Sequence, residues 1–239
     1  MTAERFGLVT GAGKGLGREI ALVLADEIAG VAVHYHSDRD TAEAAAEAIR
    51  RKGKDSFTLA ADLTEEGQAA GLIAEVERRF GRLDILVNNV GPILVAPWTD
   101  LQASDWEKIF RTNLIGSFLC LKAALPGMKA RMWGRIINIG YSRAEQLAAF
   151  PTIAAYAAAK TGLLILTRTA AASEAGSGVT VNMVSPGLLE GGVMPIGHHV
   201  PSGAVGTFAD VAGAVRYLVS EDARAVTGTN LIVAGTWKM

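Results

Sequence analysis

Tyr156 and Lys160 stand four residues apart in Tyr156-Ala157-Ala158-Ala159-Lys160, inside an alanine-rich stretch. In a helix that spacing stacks phenol and ammonium on one face. A lysine beside a phenol favours the phenolate and lowers its pKa, giving a general acid or base that works nearer neutral pH. Alone, such a pair is more often a lysine snorkelling at the surface. An upstream glycine turn, and an apolar strand ending in Asn138-Ile139-Gly140-Tyr141-Ser142 just before it, make it catalytic here.

The glycine turn lies near the start. An apolar run, Phe6 to Val9, drops into Thr10-Gly11-Ala12-Gly13-Lys14-Gly15-Leu16-Gly17 and continues as a helix-like stretch, Arg18 to Ala29. Glycine suits this place because a tight turn uses positive φ and because a Cβ would hold the backbone away from a phosphate. The free N–H groups and positive end of the following helix favour a pyrophosphate. A second strand, Val31 to Tyr35, follows about a helix later, which argues for a dinucleotide site over an ordinary turn.

The elements that must hold these residues alternate along the chain. Short apolar β-rich runs (Val31 to His34, Ser56 to Ala60, Ile85 to Asn88, Gly134 to Ile139, Val179 to Val184, Asn230 to Val233) are separated by amphipathic segments. The latter are Thr41 to Lys52, Glu65 to Phe80, Trp106 to Met132, Ala154 to Ala175 and Asp210 to Ser220. This predicts βαβ units and a doubly wound, three-layered Rossmann-type α/β fold with a parallel sheet, in one domain spanning the 239 residues. A net charge of −1 provides neither a basic nucleic-acid footprint nor an acidic tail. The single cysteine, Cys120, is expected in the core and fits a reducing compartment. No apolar stretch reaches the roughly 18 residues needed to span a bilayer, and no signal pattern precedes the first strand. A cytoplasmic, small-molecule protein is expected.

Ligands in such sheets lie at the carboxyl ends of the strands. After the second strand come Tyr35, His36, Ser37, Asp38 and Arg39. An acidic tip would bind the ribose of NAD and repel a 2′-phosphate. With Tyr35 at the tip and Lys14 and Arg39 nearby, the balance favours NADP(H). Asp62-Leu63, after the third strand, offers a carboxylate to an adenine amino group, although Asp62 or Thr64 as a helix N-cap is a rival reading. Asn88-Asn89-Val90-Gly91, after the fourth, is too polar for a buried strand end unless its amides hold backbone or ligand.

Taken together these residues resemble the short-chain dehydrogenase/reductase family over essentially the whole chain. The matches are the glycine turn Thr10 to Gly17, Asn88-Asn89-Val90-Gly91, Asn113 in Arg-Thr-Asn-Leu, Tyr156 with Lys160, Pro186-Gly187 and Val226-Thr227-Gly228. The resemblance implies that a nicotinamide delivers hydride to a carbonyl carbon while Tyr156 protonates the oxygen. It further implies that Lys160 binds the nicotinamide ribose and tunes Tyr156, and that Asn113 holds a water relaying protons to Lys160. Asp62 would lie at the adenine, Asn88 would steady the central strands, and Pro186 and Gly187 would flank the nicotinamide. The family commonly assembles as homotetramers, here through the segments Trp106 to Met132 and Ala154 to Ala175.

Two departures bear on substrate. The serine that usually polarises the carbonyl stands thirteen residues before the tyrosine, where this chain has Arg143. Aligned from the strand, Tyr141 takes its place with Ser142 adjacent, so either Ser142 turns in, the reading favoured here, or the Tyr141 hydroxyl substitutes. Leu188 follows Pro-Gly in place of the usual threonine, and the segment to Pro201 is short for a substrate lid. Its pair His198-His199, with no third ligand nearby, is poor support for a metal site, and none is assigned. The C-terminal part resembles 3-oxoacyl-thioester reductases, and the tip His34-Tyr35-His36-Ser37 resembles pteridine reductases. A carrier-protein substrate would predict a basic patch, for which Arg111, Lys122, Lys129 and Arg131 are available. The displaced serine also leaves room for a non-catalytic NADP-binding redox sensor.

Overall fold

The computed structural model describes residues 4–192, 205–235 and Trp237. Seven parallel strands form one sheet in the order β3-β2-β1-β4-β5-β6-β7. They are β1 (Phe6–Val9), β2 (Gly30–Tyr35), β3 (Asp55–Ala60), β4 (Ile85–Asn88), β5 (Gly134–Ile139), β6 (Val179–Pro186) and β7 (Asn230–Val233). The helices are α1 (Gly15–Glu27), α2 (Arg39–Arg51), α3 (Glu66–Phe80), α4 (Ala103–Phe110), α5 (Gly116–Ala130), α6 (Ala154–Ser173) and α7 (Phe208–Val219).

Every residue of β1, β4 and β5 is buried, as a parallel sheet covered on both faces requires. One face packs on α1, α2 and α7 through Ile20, Leu24, Ile49, Val211 and Val215; the other on α3 and α5 through Leu72, Ile73, Cys120 and Met128. Cys120 is fully buried, and burial pushes its thiol up to about 12. Among the described residues no helix is long and apolar enough to cross a membrane.

The stretch expected to form one helix, Trp106 to Met132, is two. A π-helical turn, Arg111–Ile115, separates α4 from α5. Such a turn shifts the side-chain register by one residue and is frequently found at functional sites. Asn113 lies in it.

The strand order reverses between β1 and β4, where the crevice of a doubly wound sheet opens. Val9 is in register with Val87, Asn88 with Asn138, and Ile139 with Val184. The glycine turn, Asn89 to Gly91, Gly140 to Ser142 and Pro186-Gly187 therefore emerge side by side along one edge.

Candidate active site

The glycine turn is held by its neighbours. Gly11 and Gly15 have φ of 63° and 54°, the left-handed region that glycine enters without strain. A Cβ at Gly17 would run into the Gly11 carbonyl and lie 2.5 Å from Asn89 Nδ2; at Gly13 it would lie 2.7 Å from Thr41 Oγ1. Asn89 Nδ2 donates to the carbonyls of Thr10 (2.9 Å) and Gly11 (3.2 Å), and Thr10 Oγ1 accepts from the amides of Asn89 (2.9 Å) and Val90 (3.2 Å). Asn89 is thereby a latch between two strand ends.

His34, to which the sequence reading gave no role, completes the latch from β2. Its Nδ1 accepts the Gly11 N–H at 3.0 Å, so Nε2 carries the ring proton and donates to the Ala61 carbonyl at 3.0 Å. Burial lowers its pKa to about 4, and the neutral ring ties three strand ends together.

Lys14 is exposed at the N-cap of α1 and pairs with Asp38 at 3.7 Å. Asp38 caps α2 by accepting from the Thr41 amide, which with the Thr41 hydroxyl lowers its pKa. Tyr35 ends β2 partly buried, and His36 and Ser37 are exposed beyond it. Leu16 packs partly buried on the core, and the Leu63 side chain is buried in it. Neither Asp62 nor Thr64 caps α3, whose N-cap is Glu65. Asp62 Oδ1 instead accepts from the Thr64 amide (2.9 Å) and hydroxyl (2.8 Å), while Oδ2 lies 3.9 Å from His36 Nε2.

The expected pairing of Tyr156 and Lys160 takes a different form. Both lie on α6, but Lys160 Nζ sits 5.7 Å from the Tyr156 ring centroid and donates to the Ile139 carbonyl at 2.7 Å. Burial governs both groups: it lowers Lys160 to about 7 and, with Tyr141 adjacent, raises Tyr156 well above the ordinary phenol range. The phenol is thus held in its protonated form, and the lowering by lysine read from the spacing is overridden by desolvation.

Asn113 is fully buried, with Nδ2 donating to the carbonyls of Pro92 (3.0 Å) and Ile109 (3.1 Å). Its Oδ1 has no partner among the described residues. That oxygen and Lys160 Nζ each lie 2.6 Å from where a Gly91 Cβ would stand. Gly91, Asn113 and Lys160 therefore converge on one point. Behind it runs a buried chain: Asn88 Nδ2 to Asn138 Oδ1 (2.9 Å), Asn138 Nδ2 to Thr167 Oγ1 (2.9 Å) and Thr167 Oγ1 to the Leu163 carbonyl (2.7 Å). Two residues missed by the sequence reading, Asn138 and Thr167, so bind α6 to β4 and β5.

Beside this point opens a largely apolar cavity of about 380 Å³. Tyr156, Gly91, Pro186 and Gly187 line it, and so does Tyr141, while Ser142 does not. The Ser142 side chain is 5 % exposed, and its Oγ has no partner among the described residues. The amides of Gly140 and Ser142 bond the carbonyls of Val184 (2.8 Å) and Pro186 (3.0 Å), which carries strand pairing beyond β5. Successive side chains of a strand point to opposite faces, so Tyr141 at the cavity turns Ser142 away. Of the two alternatives for the serine's place, Tyr141 thus lies on the cavity wall and Ser142, the one favoured from sequence, lies behind it.

Trp237 closes the wall, 5 % exposed, packing with Tyr141 and Leu188. A Cβ at Gly187 would lie 2.6 Å from that of Ala234, so glycine lets the C-terminal segment cross there. Leu188 and Leu189, where a threonine was expected, also line the cavity. Gly206 returns beside them, its amide bonded to the Leu188 carbonyl at 3.1 Å. His198 and His199 lie outside the described residues.

A parallel doubly wound sheet with a glycine-shaped turn at the β1/β4 reversal, and Asn113, Tyr156 and Lys160 converging across it, defines a nucleotide-binding oxidoreductase fold. Residues 11–236 match the family model described as enoyl-(acyl carrier protein) reductase. The chain is 36% identical over 244 residues to 3-oxoacyl-(acyl-carrier-protein) reductase FabG of Staphylococcus aureus (strain MW2), covering 98% of each. It is 35% identical to D-beta-hydroxybutyrate dehydrogenase of Rhizobium meliloti (strain 1021), covering 96% of this chain and 97% of that one. The crystal structure of acetoin dehydrogenase from Enterobacter cloacae superposes with a TM-score of 0.89 at 32% identity, covering 98% and 96%. The chain belongs to the short-chain dehydrogenase/reductase family of oxidoreductases.

Proposed function

We propose that this chain is an NADP(H)-dependent reductase of a ketone or 3-oxoacyl-type carbonyl, with Tyr156 as general acid. The convergence of Asn113 Oδ1 and Lys160 Nζ at Gly91, beside Tyr156 at a cavity mouth, carries the reading. The residues present fit a dinucleotide. Glycine at 13 and 17 lets the turn close against Thr41 and the Gly11 carbonyl, where a Cβ would collide, and the buried Asn113 Oδ1 is an acceptor without a partner among the described residues.

Gly11 to Gly17 would hold the pyrophosphate, with Asp62 and Leu63 at the adenine and Asn89 to Gly91, Pro186 and Gly187 along the nicotinamide. Lys14, Tyr35, His36 and Ser37 would surround the adenosine ribose. Lys14 supplies the cation for a 2′-phosphate, and the engagement of Asp38 in capping α2 favours that choice over NAD. The cofactor supplies hydride to the carbonyl carbon.

Tyr156, held protonated by burial, gives its proton to the carbonyl oxygen. Tyr141, edge-on to Tyr156, offers a hydroxyl donor in place of the missing serine. Lys160 is fixed by the Ile139 carbonyl and exchanges protons with a water held against Asn113 Oδ1. Such fixed positioning is worth more than any single contact. A homo-oligomer in the cytoplasm, built through α5 and α6, agrees with Phe118 (38%) and Ile165 (63%) standing exposed on those helices.

Titration with NADPH and NADH, then a panel of carbonyls and pterins, tests this reading. We expect NADPH to bind more tightly, ketones to turn over, and Tyr156→Phe to bind cofactor without turnover. Turnover of pterins alone would favour a C=N reductase, and cofactor binding with no substrate in the panel would favour the sensor.

A further inference from the structure

The cavity is walled by Tyr141, Phe150, Tyr156, Leu188 and Trp237, and among the described residues it is lined by a single charged side chain, Arg143. Arg143 is half-buried. Its guanidinium lies 4.7 Å from the Phe150 ring centroid, and its Nε donates to Gln146 Oε1 at 2.6 Å. Stacking, that bond and a side-chain hydrogen bond with Tyr141 hold the planar group in one orientation. It also stands beside the Tyr141 hydroxyl, whose pKa burial raises and the cation pulls back. No carboxylate among the described residues forms an ion pair with it. An unpaired cation on an apolar wall is costly, and an anion entering the cavity relieves that cost.

We infer that Arg143 is a substrate anchor, and that the substrate is a free oxo acid: a carbonyl compound with an apolar body and a carboxylate a few bonds from the carbonyl. The guanidinium fork matches a carboxylate in a way an ammonium does not. Tyr141 sets the spacing. Its ring meets Tyr156 at a centroid separation of 5.7 Å while its hydroxyl lies beside Arg143, so carbonyl and carboxylate are received by neighbouring groups. A free acid also suits the outer surface. Three of the four cations available for a carrier-protein patch are neutralised, Lys122 by Glu66 (2.9 Å), Lys129 by Glu174 (2.9 Å) and Arg131 by Glu77 (3.6 Å).

The inference rests on the reductase reading for its carbonyl but not for its carboxylate, and the test separates the two. Wild-type protein, Arg143→Met and Arg143→Lys are assayed with NADPH on 2-oxo-4-phenylbutanoate and on its methyl ester. Binding of unreactive 4-phenylbutanoate and 4-phenylbutanamide to NADP-loaded protein is measured by calorimetry. We expect wild type to favour both acids, and Arg143→Met to lower the acid-to-ester ratio of kcat/KM and the acid-to-amide ratio of affinity on the order of tenfold to a hundredfold. Arg143→Lys should recover only part. An acid preference in binding with no turnover of either oxo compound would keep the anchor and overturn the reductase. Turnover with ratios unchanged in Arg143→Met would overturn the anchor and keep the reductase, and an equal loss on acid and ester would place Arg143 at the carbonyl instead.

Discussion

The ring of Tyr141 stands edge-on to the ring of Tyr156, centroids 5.7 Å apart at an interplanar angle of 63°. A phenol thus stands beside Tyr156 at the position that, aligned from the strand, the family resemblance gives to a serine. Removing its hydroxyl while keeping the ring isolates the donor from the wall. We expect Tyr141→Phe to lower kcat/KM by about 10- to 100-fold with NADPH affinity unchanged. Ser142→Ala, which deletes a buried and unpartnered hydroxyl, should stay within about threefold in kcat/KM and lose no stability. Steady-state kinetics on both variants settle which residue faces substrate.

Gly91 is glycine because Asn113 and Lys160 occupy the space its Cβ would need. In Gly91→Ala one of them must move. Positioning at this distance is steep, so kcat should fall about 100-fold while the melting temperature changes by only a few degrees. A variant with wild-type kcat would show that this convergence plays no part in the reaction.

His34 makes the glycine turn sensitive to acid. Its folded pKa, about 4, is depressed below the ordinary 6.5, so the folded state binds fewer protons than the unfolded chain between those values. Stability is therefore full above about 6.5 and is lost as pH falls towards 4. The stability gap between wild type and His34→Gln should shrink on the order of 3 kcal/mol across that window in urea titrations. A constant gap would mean that the ring is not held neutral. NADPH affinity should hold down to about pH 5 and weaken only as pH approaches 4, where the folded ring takes up its proton and can no longer accept the Gly11 N–H.

The buried chain from Asn88 through Asn138 to Thr167 is an all-or-none arrangement. Asn138→Leu removes both bonds at once, leaving the Asn88 amide only a long contact to the Ser117 carbonyl (3.4 Å) and Thr167 only its bond to the Leu163 carbonyl, at a cost on the order of 2 to 4 kcal/mol. Thr167→Val leaves Asn88 paired and should cost about half as much. Equal losses in denaturant unfolding would contradict the chain.

The strands were legible because parallel strands are buried on both faces and read as apolar runs; Phe6–Val9, Ile85–Asn88, Gly134–Ile139 and Asn230–Val233 lie where the sequence puts them. The glycine turn was equally legible, since positive φ and backbone crowding leave glycine as the residue that fits. What escaped was whatever depends on one residue of phase or on a distant partner. A π-helical turn adds one residue inside an otherwise continuous apolar period, so α4 and α5 read as a single helix.

From the sequence by itself came the layered parallel sheet, the glycine turn and the family, because each is written in local spacing and residue type. Tertiary structure alone decided that Tyr141 and not Ser142 meets the cavity, since strand pairing with β6 carries the alternation of side chains past the end of β5. It alone brought Trp237 from the far end of the chain to that wall, and turned His34 from a strand residue into the pin of the glycine turn. It also set the protonation of the Tyr156 and Lys160 pair, where burial, which no spacing reports, outweighs their proximity.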